Sequence, residues 1–180
     1  FNIAGIPARS VNFGWNMGIS LVDGYEAVTT KEATPATPGV RKIDPAVQEA
    51  MTAYYAGMGE LKKEKPMFAN YKISEKDLKE LVDKKDPSIY IYSVRGEKDY
   101  LEGHIEGAVN NPFGPGMAAK FSELPKGKTI VVYCYTGQTS GQVTAALRLM
   151  GYDAVSLNGG MGTKANAPMG WKNQNYPVVK

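Results

Sequence analysis

The chain has 180 residues, 43% of them hydrophobic, which is enough for one domain with a real core plus an extension. Its net charge of +3, with no Lys/Arg cluster interleaved with aromatics, gives nucleic-acid binding little support, and no apolar run approaches the ~20 residues that cross a bilayer. A single cysteine excludes an intrachain disulfide framework and any cysteine-rich metal site, and leaves the compartment open.

The chain starts at Phe1 without a start methionine or a basic-then-apolar leader, so a mature or trimmed product is expected, with cytoplasmic and exported locations both open. Gly5-Ile-Pro-Ala8-Arg-Ser10-Val-Asn12-Phe-Gly14 matches Gly151-Tyr-Asp-Ala154-Val-Ser156-Leu-Asn158-Gly-Gly160 at Gly, Ala, Ser, Asn and Gly, with identical spacing. Five identities in an ungapped window of ten make the first segment the closing piece of an internal repeat. It is expected to pack as an edge strand or clasp. Residues from Thr29 to Gly39 are rich in Thr, Pro and Ala and read as an extended linker.

Asp44 then caps a helix with Pro45 at its first position, and Val47, Ala50, Met51, Tyr54 and Met58 form a packing stripe ending near Gly57 or Gly59. Lys62 to Lys65 reads as a solvated charged turn. Ser74-Glu75-Lys76-Asp77 opens a second helix, with Leu78, Leu81 and Val82 inward. The strand at Ile89 follows, giving the alternation of a parallel sheet covered by helices. The expected organisation is residues 1–38 as partial repeat and linker, 39–66 as a connecting helix, and 67–180 as the main domain.

The run Thr129-Ile130-Val131-Val132-Tyr133 reads as a buried parallel strand. Cys134 follows it directly. After Tyr135-Thr136-Gly137-Gln138-Thr139, Ser140 is expected to open an amphipathic helix through Val143, Ala146, Leu147 and Met150, stopped by Gly151. A thiolate between a strand end and a helix N-terminus faces unpaired N–H groups and the positive end of the helix dipole, which lower its pKa and steady a bound anion. The alternative is a buried structural cysteine. Gly137 permits a tight left-handed turn.

Around this unit stand Ile89-Tyr90-Ile91-Tyr92-Ser93-Val94-Arg95-Gly96-Glu97, then Gly103-His104-Ile105-Glu106-Gly107-Ala108-Val109-Asn110-Asn111-Pro112, and the Asn158-Gly159-Gly160 turn. Over residues 70 to 180 these motifs resemble the rhodanese-like domain family. The resemblance implies an α/β, three-layer fold with a central parallel sheet flanked by helices. It implies a sulfurtransferase in which Cys134 takes the outer sulfur of a donor as a persulfide and gives it to an acceptor. Tyr135, Thr136, Gly137, Gln138, Thr139 and Ser140 would then bind the substrate, chiefly through backbone amides with the Thr136, Thr139 and Ser140 hydroxyls helping. Arg95 is a further binding candidate, although a residue tying loops together is the reading we favour for it.

The donor would be a small sulfur-containing anion such as thiosulfate, or a persulfide, and the acceptor a thiol or cyanide, with no cofactor and no metal. Residues 1–20 would meet a second rhodanese-like repeat or a partner chain. Two positions depart from the family pattern. Ser93 stands where aspartate is usual, which removes a carboxylate partner for Arg95. The loop from Cys134 to Ser140 carries no Arg or Lys, which disfavours a dianionic donor relative to a persulfide.

His104 is expected to satisfy backbone groups rather than to catalyse. Gly159, Gly160 and Gly162 follow a strand without a following helix, so a nucleotide site is not expected. Trp171 and the Asn166-to-Tyr176 tail are expected to close the fold. Besides sulfur transfer, two functions remain. A phosphatase or arsenate reductase needs an arginine where Ser140 stands, so it is disfavoured. A non-enzymatic sulfur-carrier or docking module would use the same fold to bind a partner.

Overall fold

A computed structural model describes residues 1–11, 13–16, 18–29 and 42–180. The chain divides into two compact units, Phe1–Thr52 and Ala53–Lys180.

In the first unit the described residues form short 3-10 turns at Asn2–Ala4, Ile19–Leu21 and Tyr25–Val28, and no strand. Among the described residues of Gly5 to Gly14 no edge strand forms. A local side-chain clamp takes its place: Asn2 Nδ2 donates to the Ala8 carbonyl and Asn2 Oδ1 accepts from the Ala8 N–H, both at 2.9 Å. Asn12, one of the repeat identities, and residues 30–39 of the expected linker lie outside the described residues. Asp44 does cap the next helix. Its Oδ1 accepts from Ala46 N (2.9 Å) and Val47 N (3.4 Å), with Pro45 in the first position.

That helix, α1 (Pro45–Glu64), does not stop at Gly57 or Gly59. Of the charged turn expected over Lys62 to Lys65, all but Lys65 belongs to its last turn, where Lys62 and Lys63 complement the helix dipole. Gly57 is not a stop signal because it serves a close approach. A Cβ there would lie 2.6 Å from the Tyr71 hydroxyl, which donates to the Tyr54 carbonyl at 2.6 Å.

The second unit is built on five parallel strands: β1 (Lys72–Ile73), β2 (Ile89–Ser93), β3 (Val109–Asn110), β4 (Thr129–Tyr133) and β5 (Ala154–Leu157), in the order β1-β5-β4-β2-β3. Strand alternation divides the core in two. Ile91, Val131, Tyr133, Val155 and Leu157 face one side, where Leu78, Leu81 and Val82 of α2 (Glu75–Asp83) pack with Trp171. Tyr92, Ile130, Val132, Cys134 and Ala154 face the other, against Val143 and Leu147 of α4 (Gln138–Leu149).

Helices on both faces explain why the β4 run is apolar without alternation. The result is a three-layer α/β fold. Helix α2 starts as the sequence predicts, with Ser74 Oγ accepting from Asp77 N at 3.0 Å. The tail closes the fold through Trp171, fully buried, whose Nε1 donates to the Pro177 carbonyl at 2.7 Å. Among the described residues no helix is long and apolar enough to cross a membrane.

Candidate functional site

Cys134 follows the last residue of the central strand β4, on the α4 side of the sheet, and is 2% exposed. The chain then turns through Tyr135 and Thr136 to Gly137, whose φ of 94° caps α4 without a side chain. The helix thus begins at Gln138, two residues earlier than the expected Ser140. Ser140 lies inside the first turn, so the first orphan N–H groups of the helix close around the sulfur. Gly137 N donates to Cys134 Sγ at 3.2 Å.

Burial pushes the Cys134 thiol up. Hydrogen bonding from the Ser140 and Thr139 hydroxyls and the Ser140 and Thr136 amides outweighs burial and holds the thiol below its ordinary pKa. The sign follows: the thiolate, not the thiol, reacts, so Cys134 alkylation by iodoacetamide should rise with pH about a midpoint lower than that of the unfolded chain. A midpoint at or above the unfolded value would contradict the cradle.

The loop is braced from behind by the turn after β5. Met161 N donates to the Cys134 carbonyl and Gly162 N to the Tyr135 carbonyl, each at 2.8 Å. Gly160 lies directly beneath, with φ 58°, and a Cβ on it would sit 2.7 Å from Cys134 O and 2.9 Å from the Thr136 and Gly137 nitrogens. The glycines set aside as a nucleotide site therefore support the candidate loop. Sequence reasoning missed this role because it depends on β5 lying beside β4.

The remaining candidates divide. Thr136, Gly137, Thr139 and Ser140 gather at the sulfur, and Gln138 is the half-buried first residue of α4. Tyr135 is 38% exposed, but its hydroxyl donates to Asp99 Oδ2 and accepts from Gly96 N at 3.0 Å, which ties the loop to the start of α3 (Glu97–Glu102). Arg95 is buried. Its Nη1 donates to the Gly103 carbonyl (2.8 Å) and Nη2 to the Asp99 carbonyl (2.7 Å), while its guanidinium lies 5.4 Å from the centre of the Tyr135 ring. The Arg95 Nε is buried and has no hydrogen-bond partner among the described residues. Ser93 itself is fully buried and accepts from the Arg95 N–H at 3.4 Å.

His104 stacks on Tyr100, with centroids 3.9 Å apart, and its backbone bridges to Val179. Its Nδ1 lies 3.1 Å from the Tyr100 carbonyl oxygen, a side-chain contact to backbone of the expected kind. Among the described residues no group of three His, Cys, Asp or Glu side chains is placed to hold a metal ion.

A family model, the rhodanese-like domain, matches residues 74–163, half of the chain and the whole of this site. The chain belongs to the rhodanese-like domain family. It is 38% identical over 106 residues to the thiosulfate sulfurtransferase GlpE of Coxiella burnetii, covering 57% of this chain and 95% of that protein. It is 36% identical over 69 residues to the thiosulfate sulfurtransferase PspE of Escherichia coli, covering 38% of this chain and 66% of that one. The crystal structure of a rhodanese-related protein from Thermoplasma volcanium aligns with a TM-score of 0.51 at 25% identity, over 60% of this chain and 96% of that chain. The rhodanese-like assignment thus rests on the fold, the family model and relatives that are named sulfurtransferases.

Proposed function

We propose that this protein is a sulfurtransferase that carries sulfane sulfur on Cys134. The observation that supports this best is the sulfur at the end of β4, with the Gly137 N–H at 3.2 Å and the first turn of α4 closing around it. Cys134 thiolate attacks the outer sulfur of the donor. With thiosulfate, the S–S bond breaks and sulfite leaves with the bonding pair; with a persulfide, a thiolate leaves. The new Cys134 persulfide is held by the same N–H and O–H donors that held the thiolate. An acceptor thiolate or cyanide then attacks the outer sulfur, and the S–S electrons return to Cys134.

The relatives' names bring thiosulfate forward as a donor. The absence of Arg and Lys between Cys134 and Ser140 favours the persulfide, whose transfer needs less charge compensation. The phosphatase reading fails for want of a guanidinium in the loop, because the Ser140 hydroxyl cannot grip a phosphate bidentately. Steady-state thiocyanate production from cyanide, with each donor in turn, tests the proposal. Many turnovers per protein support an enzyme, whereas a single sulfur equivalent with no turnover supports a carrier or docking module.

A second reading concerns residues 1–20, which would dock a preceding rhodanese-like repeat or a partner chain. What favours it is a shared hydrogen bond and glycine conformation. Gly14 N donates to Val11 O at 3.1 Å just as Gly160 N donates to Leu157 O at 3.2 Å, and both glycines have φ near 60°. In the first segment Val11 and Trp15 are exposed, Trp15 meeting the Tyr25 ring edge-on with centroids 5.5 Å apart. Slow hydrogen exchange at Ile6–Val11 in protein isolated from its source is the expected result, and exchange at free-chain rates would sink this reading.

A further inference from the structure

Strand alternation along β5 places Ser156 beside Ala154 on the α4 face, with Val155 and Leu157 opposite. There Ser156 Oγ lies 2.8 Å from Ser140 Oγ, across two elements and sixteen residues of chain. Both are enclosed: Ser140 is 0% exposed and Ser156 is 7% exposed. A hydroxyl has one proton and two lone pairs, so only one member of the pair donates to the other. A Ser140 proton pointed at Ser156 is lost to the loop. A Ser156 proton pointed at Ser140 leaves the Ser140 proton free for the sulfur.

We propose that Ser156 is a positioning residue for sulfur transfer, donating to Ser140 Oγ so that the Ser140 hydroxyl presents its proton to Cys134 Sγ. The chain of donors runs from Ser156 to Ser140 to sulfur. Each hydrogen bond polarises the next, in a pocket that excludes water. The lowered thiol pKa, to which the Ser140 hydroxyl contributes, agrees with this direction. Ser156 touches neither donor nor acceptor and acts only through Ser140.

This inference deepens the sulfurtransferase reading and rests on it, but its test needs no sulfur donor. The test is the pH dependence of Cys134 alkylation in the full chain carrying S156A, S156T, S156V, S140A, or S140A with S156A. Loss of one hydrogen bond in the relay should raise the thiol midpoint and slow alkylation at pH 7 about three- to tenfold in S156A and S156V. S156T, which has the shape of valine but keeps the hydroxyl, should stay within about twofold of the natural chain. The double variant should be no slower than S140A, because both changes break one relay. Alkylation of S156A at the natural rate, equal rates for S156T and S156V, or additive losses in the double variant would overturn the relay. A natural chain that alkylates with a low midpoint but takes up no sulfur would instead refute the sulfurtransferase reading.

Discussion

Cys134→Ser should leave the fold in place and reduce sulfur transfer by at least about a thousandfold with either donor. The substitution swaps one atom at a 2% exposed site, and the serine oxygen can still accept from the Gly137 amide, so stability should change by no more than about 1 kcal/mol. Chemistry, not packing, is lost: an alcohol is not ionised at neutral pH and forms no persulfide. Thiocyanate production measures the first effect and thermal unfolding the second. Transfer at even a tenth of the natural rate would mean that sulfur passes by another route.

The second large effect is expected where no reacting group is changed. Gly160→Ala forces a left-handed backbone on a residue with a Cβ and sets that Cβ 2.7 Å from the Cys134 carbonyl oxygen and 2.9 Å from two loop nitrogens. Each neighbour is backbone, so none can swing aside as a flexible side chain would. The left-handed penalty and the overlap together should cost about 2–4 kcal/mol. Relief comes only by shifting the loop, which spoils the amide cradle, so alkylation and transfer should fall at least about tenfold in the protein that remains folded. Denaturant unfolding and iodoacetamide rates read the two parts separately. Natural values for both would show that the turn after β5 does not brace the loop.

The strand before Cys134 was legible because burial on both faces leaves an unbroken β-branched and aromatic run, and the limits Thr129–Tyr133 follow directly. Leu78, Leu81 and Val82 were legible from helical spacing and the Ser74 cap. Errors arose where residue type misstates local use. Ser140 looks like a helix cap, yet Gly137 takes that place by its backbone conformation and Ser140 Oγ lies inside the first turn, 2.8 Å from Ser156 Oγ. Gly57 looks like a helix stop, yet it makes room for Tyr71.

Long-range pairings were out of reach. Nothing local at Met161 or Gly162 says that their amides hold the carbonyls of Cys134 and Tyr135, since that depends on the order of strands in the sheet. The carbonyl acceptors that Arg95 finds at Asp99 and Gly103 are hidden for the same reason. In the first segment, five identities to the segment of β5 suggest a strand. β5 is a strand because β1 and β4 flank it, and the Ile6–Val11 stretch has no paired strand among the described residues.

The most direct test of the account is the intact mass of the protein before and after incubation with thiosulfate and, separately, with a low-molecular-weight persulfide. The account predicts a gain of one sulfur atom, ~32 Da, located on Cys134, removed by cyanide and absent from Cys134→Ser. No gain with either donor, or the same gain in the serine variant, would contradict it.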